Sequence, residues 1–341
     1  MKSRLVMFAA LMIAAAALAT AVSHLHTGSH RPMVRAALPT MLASYLGVFE
    51  DGSPPGYGPV AAFAKAADRQ PDLVGYYSGW AEPFQLPFAQ LIHAHHGTPF
   101  VQIDPLYASM SQITAGDYDN YLRAYADSVR NYGHPVVIGF GHEMNAPWYP
   151  WGYHHLSPAT FIQVWRYIVD LFRQQGADNV TWLWTVNADR RGTGPVGDWW
   201  PGPDYVTWIG IDGYYYRPAD TFATVFGKTI NQIRAFTPKP ILLSETAVGP
   251  KAGQYVKIQD LFRGMAKYKT LGLVWFDKDQ DNGIYHQDWR IEGSPTAEDA
   301  FRLGVRDELA PASQTQSPQP QPRQSQSSQP QPGKSHHTKS H

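Results

Sequence analysis

The chain has 341 residues, 43% of them hydrophobic, and equal numbers of Lys+Arg and Asp+Glu, 28 each. That balance leaves no basic footprint for nucleic acid or an anionic membrane surface, and it suits a neutral substrate. Cysteine is absent, which excludes disulfides, iron–sulfur clusters and thiol catalysis, so the fold must rest on one large core.

Met1-Lys2-Ser3-Arg4 precedes an apolar run from Leu5 to Val22. Positive charge before an Ala/Leu-rich stretch reads as a signal peptide cut near Ala17-Leu18-Ala19. The run is also long enough to span a bilayer as an uncleaved anchor. Both readings of residues 1–23 place the rest of the chain outside the cytoplasm, secreted or extracytoplasmic, with membrane contact only through such an anchor. Residues 24–39 read as a linker. From residue 311 the chain is Gln, Pro, Ser and His with almost no apolar residues, a composition expected to stay disordered.

Between them, from 40 to 310, short apolar runs alternate with amphipathic stretches, the pattern of βα units. The expected strands are Tyr45 to Phe49, Leu73 to Tyr77, Pro99 to Ile103, Val136 to Phe140, Thr181 to Val186, Val206 to Ile211, Ile241 to Ser244 and Leu273 to Phe276. Helices are expected over Gly58 to Asp68, Phe88 to His96, Asp117 to Asn131, Pro158 to Gln175, Phe222 to Phe236, Gln254 to Lys269 and Thr296 to Glu308. In the fourth of these Ser157 is an N-cap, Pro158 takes the first helical position, and Gly176 stops the helix. Eight such units close most naturally into a (β/α)8 TIM barrel, a single catalytic domain. The competing doubly wound sheet would show a glycine-rich phosphate loop after an early strand, and none is present.

In such a barrel the site lies past the C-terminal ends of the strands. There the chain places Gly141-His142-Glu143-Met144-Asn145-Ala146-Pro147-Trp148 after strand four and Ser244-Glu245-Thr246 after strand seven. Two carboxyls at one rim can flank a glycosidic bond, with about 5 to 5.5 Å between them for retaining hydrolysis. Either Glu alone would also suit a structural ion pair. The His142-Glu143 pair is not a zinc-protease motif, because Ala146 stands where the second His is needed.

Trp and Tyr number 11 and 19, many beside Gly, Pro, Asp and Asn. Such rings either line a cleft or seal the barrel ends. Tyr77 and Trp80 leave strand two towards the mouth and are candidate subsite residues. Trp182 and Trp184 share one side of strand five, as inner core or, for Trp184, as cleft wall. Asp277 to Asp288 spaces acids like a calcium loop, but Asn282 replaces the glycine needed at position six. No metal and no cofactor is expected.

The run Gly141 to Gly152 resembles the acid/base segment of glycoside hydrolase family 26, best known for β-mannanases. Leu243-Ser244-Glu245-Thr246 resembles its nucleophile strand, Gly210-Ile211-Asp212-Gly213-Tyr214 its strand six, and Val274-Trp275-Phe276 with Asp288-Trp289-Arg290 its last strand and loop. The resemblance implies a retaining double displacement on a β-linked polysaccharide, with Glu143 as acid/base and Glu245 as nucleophile; the chain is expected to act as a monomer. It also implies sugar-binding or orienting roles for His142, Asn145, Trp148 and Tyr214, and Trp275 as the floor beneath the sugar. The implied substrate is a β-1,4-mannan. The alternatives are a mixed-linkage β-glucan, β-xylan or envelope glycan, or binding without turnover. Two departures fall on sugar-binding positions: Gly139-Phe140-Gly141 where many members carry Arg and Pro, and Phe276 where some mannanases carry Arg.

Overall fold

A computed structural model describes residues 37–190, 192–249, 251–282 and 286–309. The apolar run at 1–23, most of the 24–39 linker and the 311–341 tail lie outside the described residues. Eight parallel strands close on themselves in chain order: β1 Tyr45–Glu50, β2 Leu73–Gly79, β3 Thr98–Asp104, β4 Val136–Phe140, β5 Val180–Asn187, β6 Trp208–Asp212, β7 Ile241–Thr246 and β8 Gly272–Asp277. Closure is direct, with six residues of β1 in register with β8 from Tyr45 opposite Gly272 to Glu50 opposite Asp277. Leu38 N–H donates to Thr181 Oγ1 at 3.0 Å and Tyr45 O–H to the Pro39 carbonyl at 2.6 Å. Barrel contacts therefore begin inside the stretch read as linker.

The helices form the outer layer: α1 Gly58–Ala67, α2 Leu86–Ala94, α3 Met110–Ala115, α4 Asp119–Tyr132, α5 Pro158–Gln174, α6 Lys228–Arg234, α7 Gln254–Lys267 and α8 Pro295–Glu308. Helix α5 shows how sequence becomes packing. Ser157 Oγ accepts the Thr160 N–H at 3.1 Å, the capping bond expected of Ser before Pro. Phe161, Val164, Trp165, Ile168, Leu171 and Phe172 then fall on one buried face. Trp165 and Phe172 meet Trp182 of β5 edge-on at 6.2 and 5.2 Å. Each such side chain contributes about 1.5–3 kcal/mol by leaving water. Two outer elements differ from the sequence pattern. Helix α3 is a separate turn, ended by Gly116 at φ 89°, and a single π-turn over Ala223–Gly227 precedes α6.

Inside the barrel the layer below the mouth is polar. Gln102 donates to Thr185 Oγ1 at 3.2 Å, and Ser244 Oγ donates to Asp212 Oδ1 at 2.6 Å. Strand glycines make room for it. A Cβ on Gly139 would stand 1.9 Å from Gln102 Oε1, and one on Gly210 would stand 2.4 Å from Thr185 Oγ1. The β6–β7 register shifts between Gly210 and Asp212, and the β7–β8 register shifts between Leu243 and Thr246. An extra residue in a strand re-aims the side chains beside it. Here Ser244 reaches Asp212 while its neighbour Glu245 also turns towards the barrel axis.

Gly139→Ala is therefore expected to destabilise the chain by about 1–3 kcal/mol through overpacking against Gln102. Gly58→Ala, whose Cβ meets nothing within 4 Å, should stay within about 0.5 kcal/mol of the parent. Chemical denaturation of the two variants side by side checks this, and equal midpoints would show that the Gln102 layer yields freely.

Candidate active site

Glu143 and Glu245 reach the same cleft, of about 290 Å³, whose wall also includes Tyr77, Asp104, Tyr149 and Asn187. Glu143 sits in a turn just past β4. Its backbone is left-handed at φ 55°, a conformation that costs a non-glycine residue about 1–3 kcal/mol. Its N–H is held on the Thr185 carbonyl at 3.0 Å. Buried Trp151 donates its indole N–H to the His142 carbonyl at 2.8 Å. The turn is thus pinned on both sides of the residue it presents.

Each Glu carboxyl is gripped at both oxygens. Trp148 Nε1–H donates to Glu143 Oε2 and Asn187 Nδ2–H to Glu143 Oε1, both at 2.5 Å. Tyr77 O–H donates to Glu245 Oε1 at 2.5 Å and Tyr214 O–H to Glu245 Oε2 at 2.6 Å. His142 is buried beside them, its Nδ1 3.0 Å from Asp104 Oδ1 and its Nε2 3.1 Å from the Tyr149 hydroxyl. Asn145 faces away from the cleft. It forms a reciprocal pair with the Asn187 backbone, Nδ2–H to O at 2.9 Å and Oδ1 from N–H at 2.8 Å, and so orients the amide that holds Glu143.

Three expected sugar contacts lie elsewhere. Trp275 is fully buried on the outer side of β8. Its N–H is on the Trp289 carbonyl at 3.0 Å and its ring edge-on to Phe301 of α8 at 5.0 Å. Successive strand residues face opposite ways, so its neighbour Phe276 lines the cleft instead. The same parity turns Trp184 outward against Trp200 at 5.2 Å, while Asn187 turns in. Trp80 packs edge-on against Tyr118 and Tyr121 at the start of α4, at 5.2 and 5.1 Å, and is not among the cleft-lining residues. Sequence reasoning also passed over Asp104, Tyr149, Asn187, Arg190, Tyr216 and Lys278. Their signal was position alone, since each lies at or just past a strand end or, for Tyr149, in the loop after β4.

The electrostatics follow from burial of like charges. Burial raises the Glu143 carboxyl above its ordinary range and Glu245 adds to this, against His142, Asn187 and Trp148, which favour the ionised form. Asp212, below the pair, is held well above the usual range by burial, Glu245 and Glu143. Burial opposes the charged form of His142, but Asp104, Glu245 and Glu143 together push it up to about 10. An imidazolium therefore stands among the acids at neutral pH. Burial and Glu245 keep the Tyr77 and Tyr214 phenols well above their ordinary value, so both remain donors.

Among the described residues, two groups of side chains have the donor types of a metal site. In the first, His142, Asp212 and Glu245 bring ligand atoms within 4.8 Å of one another. Both His142 nitrogens and both Glu245 oxygens already have partners, however, and the raised His142 favours the proton. In the second, Glu50, Asp277 and Glu292 are grouped at the C-terminal ends of β1 and β8. Burial and then Glu292 raise Glu50 to about 8, and burial holds Asp277 well above its ordinary value. Retained protons thus offset the clustered charge. The 277–288 stretch, spaced like a calcium loop, carries a short antiparallel pair, Asp279–Gln280 with Gln287–Asp288. Arg290 bonds Asp279 and Asp288 there, both at 2.9 Å.

The raised His142 value has a stability consequence. A group whose folded value lies above its unfolded value stabilises the fold fully below the unfolded one, about 6.5, and loses that contribution as pH rises towards about 10. Asp104→Asn removes the main partner of the cation. The stability difference between pH 6 and pH 10 should shrink in this variant, by up to about 4 kcal/mol. Urea unfolding at the two pH values measures it, and an unchanged difference would mean that Asp104 does not hold the charge.

Comparison with known proteins bears on the whole arrangement. Endoglucanase H of Acetivibrio thermocellus is 28% identical over 272 residues, covering 74% of this chain and 29% of that protein. The chain thus spans less than a third of that relative. A mannan endo-1,4-beta-mannosidase of Bacillus subtilis is 25% identical over 183 residues, covering 48% of this chain and 46% of its own. The solved structure of Bacillus subtilis mannanase man26 superposes with a TM-score of 0.59 at 17% identity, over 80% of this chain and 87% of that one, and shares the fold. The model of glycosyl hydrolase family 26 matches residues 97–295. That match spans more than half of the sequence and takes in strands β3 to β8 with both cleft glutamates, and on this basis the chain belongs to glycosyl hydrolase family 26.

Proposed function

We propose that the chain is an endo-acting retaining hydrolase of a β-linked polysaccharide, with Glu143 as acid/base and Glu245 as nucleophile. The observation that carries this reading is that the two carboxyls share one cleft, each held at both oxygens by neutral donors. Glu245 takes two phenol hydrogen bonds, which fix the direction of its carboxyl in the cleft. Glu143 is raised by burial and by Glu245, which suits a carboxylic acid that protonates the leaving oxygen. When Glu245 becomes the glycosyl ester its charge is gone. The pressure on Glu143 then eases, and it can take a proton from the incoming water. The imidazolium of His142, anchored by Asp104 and Tyr149, offsets the negative charge throughout.

β-1,4-Mannan is the first substrate to test, since the relatives include a mannan endo-1,4-beta-mannosidase. A β-glucan is the second reading, favoured by the longer match to a protein named Endoglucanase H and by Phe276, which stands in the cleft where some mannanases carry Arg. The apolar N-terminal run supports action outside the cytoplasm.

On whichever glycan is turned over, Glu143→Ala is expected to lose about 10²–10⁴-fold in rate, and Glu245→Ala at least as much, with circular dichroism unchanged. Azide and an activated aryl glycoside separate the roles. Glu143→Ala should regain turnover and release the β-azide, whereas Glu245→Ala should release the α-azide. The reverse pairing would exchange the assignments.

Trp148→Phe keeps the ring but removes the N–H that favours ionised Glu143. The alkaline limb of kcat/KM reports loss of the acid's proton. It should therefore move to higher pH in this variant, and a move to lower pH would contradict the role of the indole N–H.

A further inference from the structure

The catalytic cleft adjoins a second cavity of about 400 Å³ at the ends of β5 and β6, within the range of about 300–1,000 Å³ typical of ligand sites. Asn187, Arg190, Tyr214 and Tyr216 line both spaces, and Asp189, Arg217 and Asp220 line only the second. Its acids are committed. Asp189 accepts from Lys228 Nζ and Gln232 Nε2, both at 2.9 Å. Asp220 Oδ2 accepts the backbone N–H groups of Tyr216 and Arg217 at 2.9 and 2.8 Å. Its arginines are not committed in this way. Among the described residues, neither the Arg190 nor the Arg217 side chain bonds an acid, and both residues are exposed. The Arg190 guanidinium lies over the Trp148 ring at 4.6 Å and the Tyr216 ring at 5.7 Å. Contact with the two rings places the guanidinium at the cavity wall, where its N–H groups can meet a ligand.

The place of Arg190 in the reaction follows from Trp148. The indole that carries it donates to Glu143, so Arg190 stands on the side from which the leaving group departs. A guanidinium fork matches a carboxylate in two parallel hydrogen bonds, better than it matches isolated hydroxyls. We propose that this cavity is a leaving-group-side subsite for a uronic acid residue, whose carboxylate Arg190 and Arg217 recognise. The inference rests on the retaining-hydrolase reading above and narrows its substrate to a β-glycan carrying acidic sugars.

The test is binding to the full chain carrying Glu245→Gln, which prevents ligand turnover. The probes are glucuronic acid linked β-1,4 to glucose and its neutral counterpart cellobiose, titrated calorimetrically at low and at physiological salt. The uronate is expected to bind at least tenfold more tightly at low salt, with an advantage that narrows as salt screens the charge. That advantage should vanish with Arg190→Ala or Arg217→Ala and persist in part with Arg190→Lys, which keeps the charge without the fork. Equal affinity for the two sugars, no binding of either, or a preference that survives both alanine substitutions would overturn the subsite. Hydrolysis by the unsubstituted chain is scored separately. Turnover of neutral β-glycans without a uronate preference removes the subsite and keeps the hydrolase reading. Uronate binding without turnover of any glycan removes the hydrolase reading.

Discussion

Two carboxyl groups face one small cleft, and the rest of the site is arranged around that constraint. Like charges at close range in a medium of low dielectric repel strongly, and burial alone disfavours each ionised form. The barrel answers with four neutral donors, Trp148 and Asn187 on Glu143 and Tyr77 and Tyr214 on Glu245, and with the imidazolium of His142 between Asp104 and Tyr149. Hydrogen bonds to charged groups contribute about 1.5–3 kcal/mol each, enough together to hold the pair in place. Asp212 lies just below, held well above the usual carboxylate range by burial, Glu245 and Glu143, and it accepts from Ser244 on the polar layer that floors the site.

Holding this arrangement depends on irregular backbone at both strand ends. Glu143 is left-handed and its turn is tied to β5 through Thr185 and to Trp151 through the His142 carbonyl. Glu245 sits at the register shift between β7 and its neighbours. Regular strands would alternate their side chains in and out and could not aim Ser244 and Glu245 the same way. The irregularity falls on the two residues whose direction matters most, and the regular barrel around them offsets the strain at Glu143.

The barrel itself was legible from residues, because alternating periods of two and 3.6 mark strands and helices wherever the apolar face is continuous. All eight strands fall within a few residues of the expected runs. Glu143 and Glu245 were legible for the same reason, since a strand end defines a rim position. Harder to read was parity. Trp275 and Trp184 each sit one or three residues from a true cleft residue, Phe276 and Asn187, and a shift of one reverses the face. Nothing in a local run of buried aromatics says which side is barrel interior and which is helix layer. Asn145 shows a different limit. Its motif marks it as part of the site, but only the fold shows that it works through the Asn187 backbone and not on a ligand.

The aromatic richness of the chain divides accordingly into two populations. Trp165, Trp182, Trp184, Trp208 and Trp275 are buried in the space between sheet and helices or at the base of the barrel, where they supply area. At the mouth, Tyr77, Tyr149, Tyr214 and Trp148 present their polar tips to Glu245, His142 and Glu143. Two of these rings have a face in contact with another side chain. Tyr77 stacks on Phe49 at 5.0 Å and Trp148 carries Arg190 on its ring. A sugar entering this cleft meets few open aromatic platforms and many fixed donors. On the proposed function, the donors that surround the reacting carboxyls are the same ones that would read the hydroxyl pattern of the bound glycan.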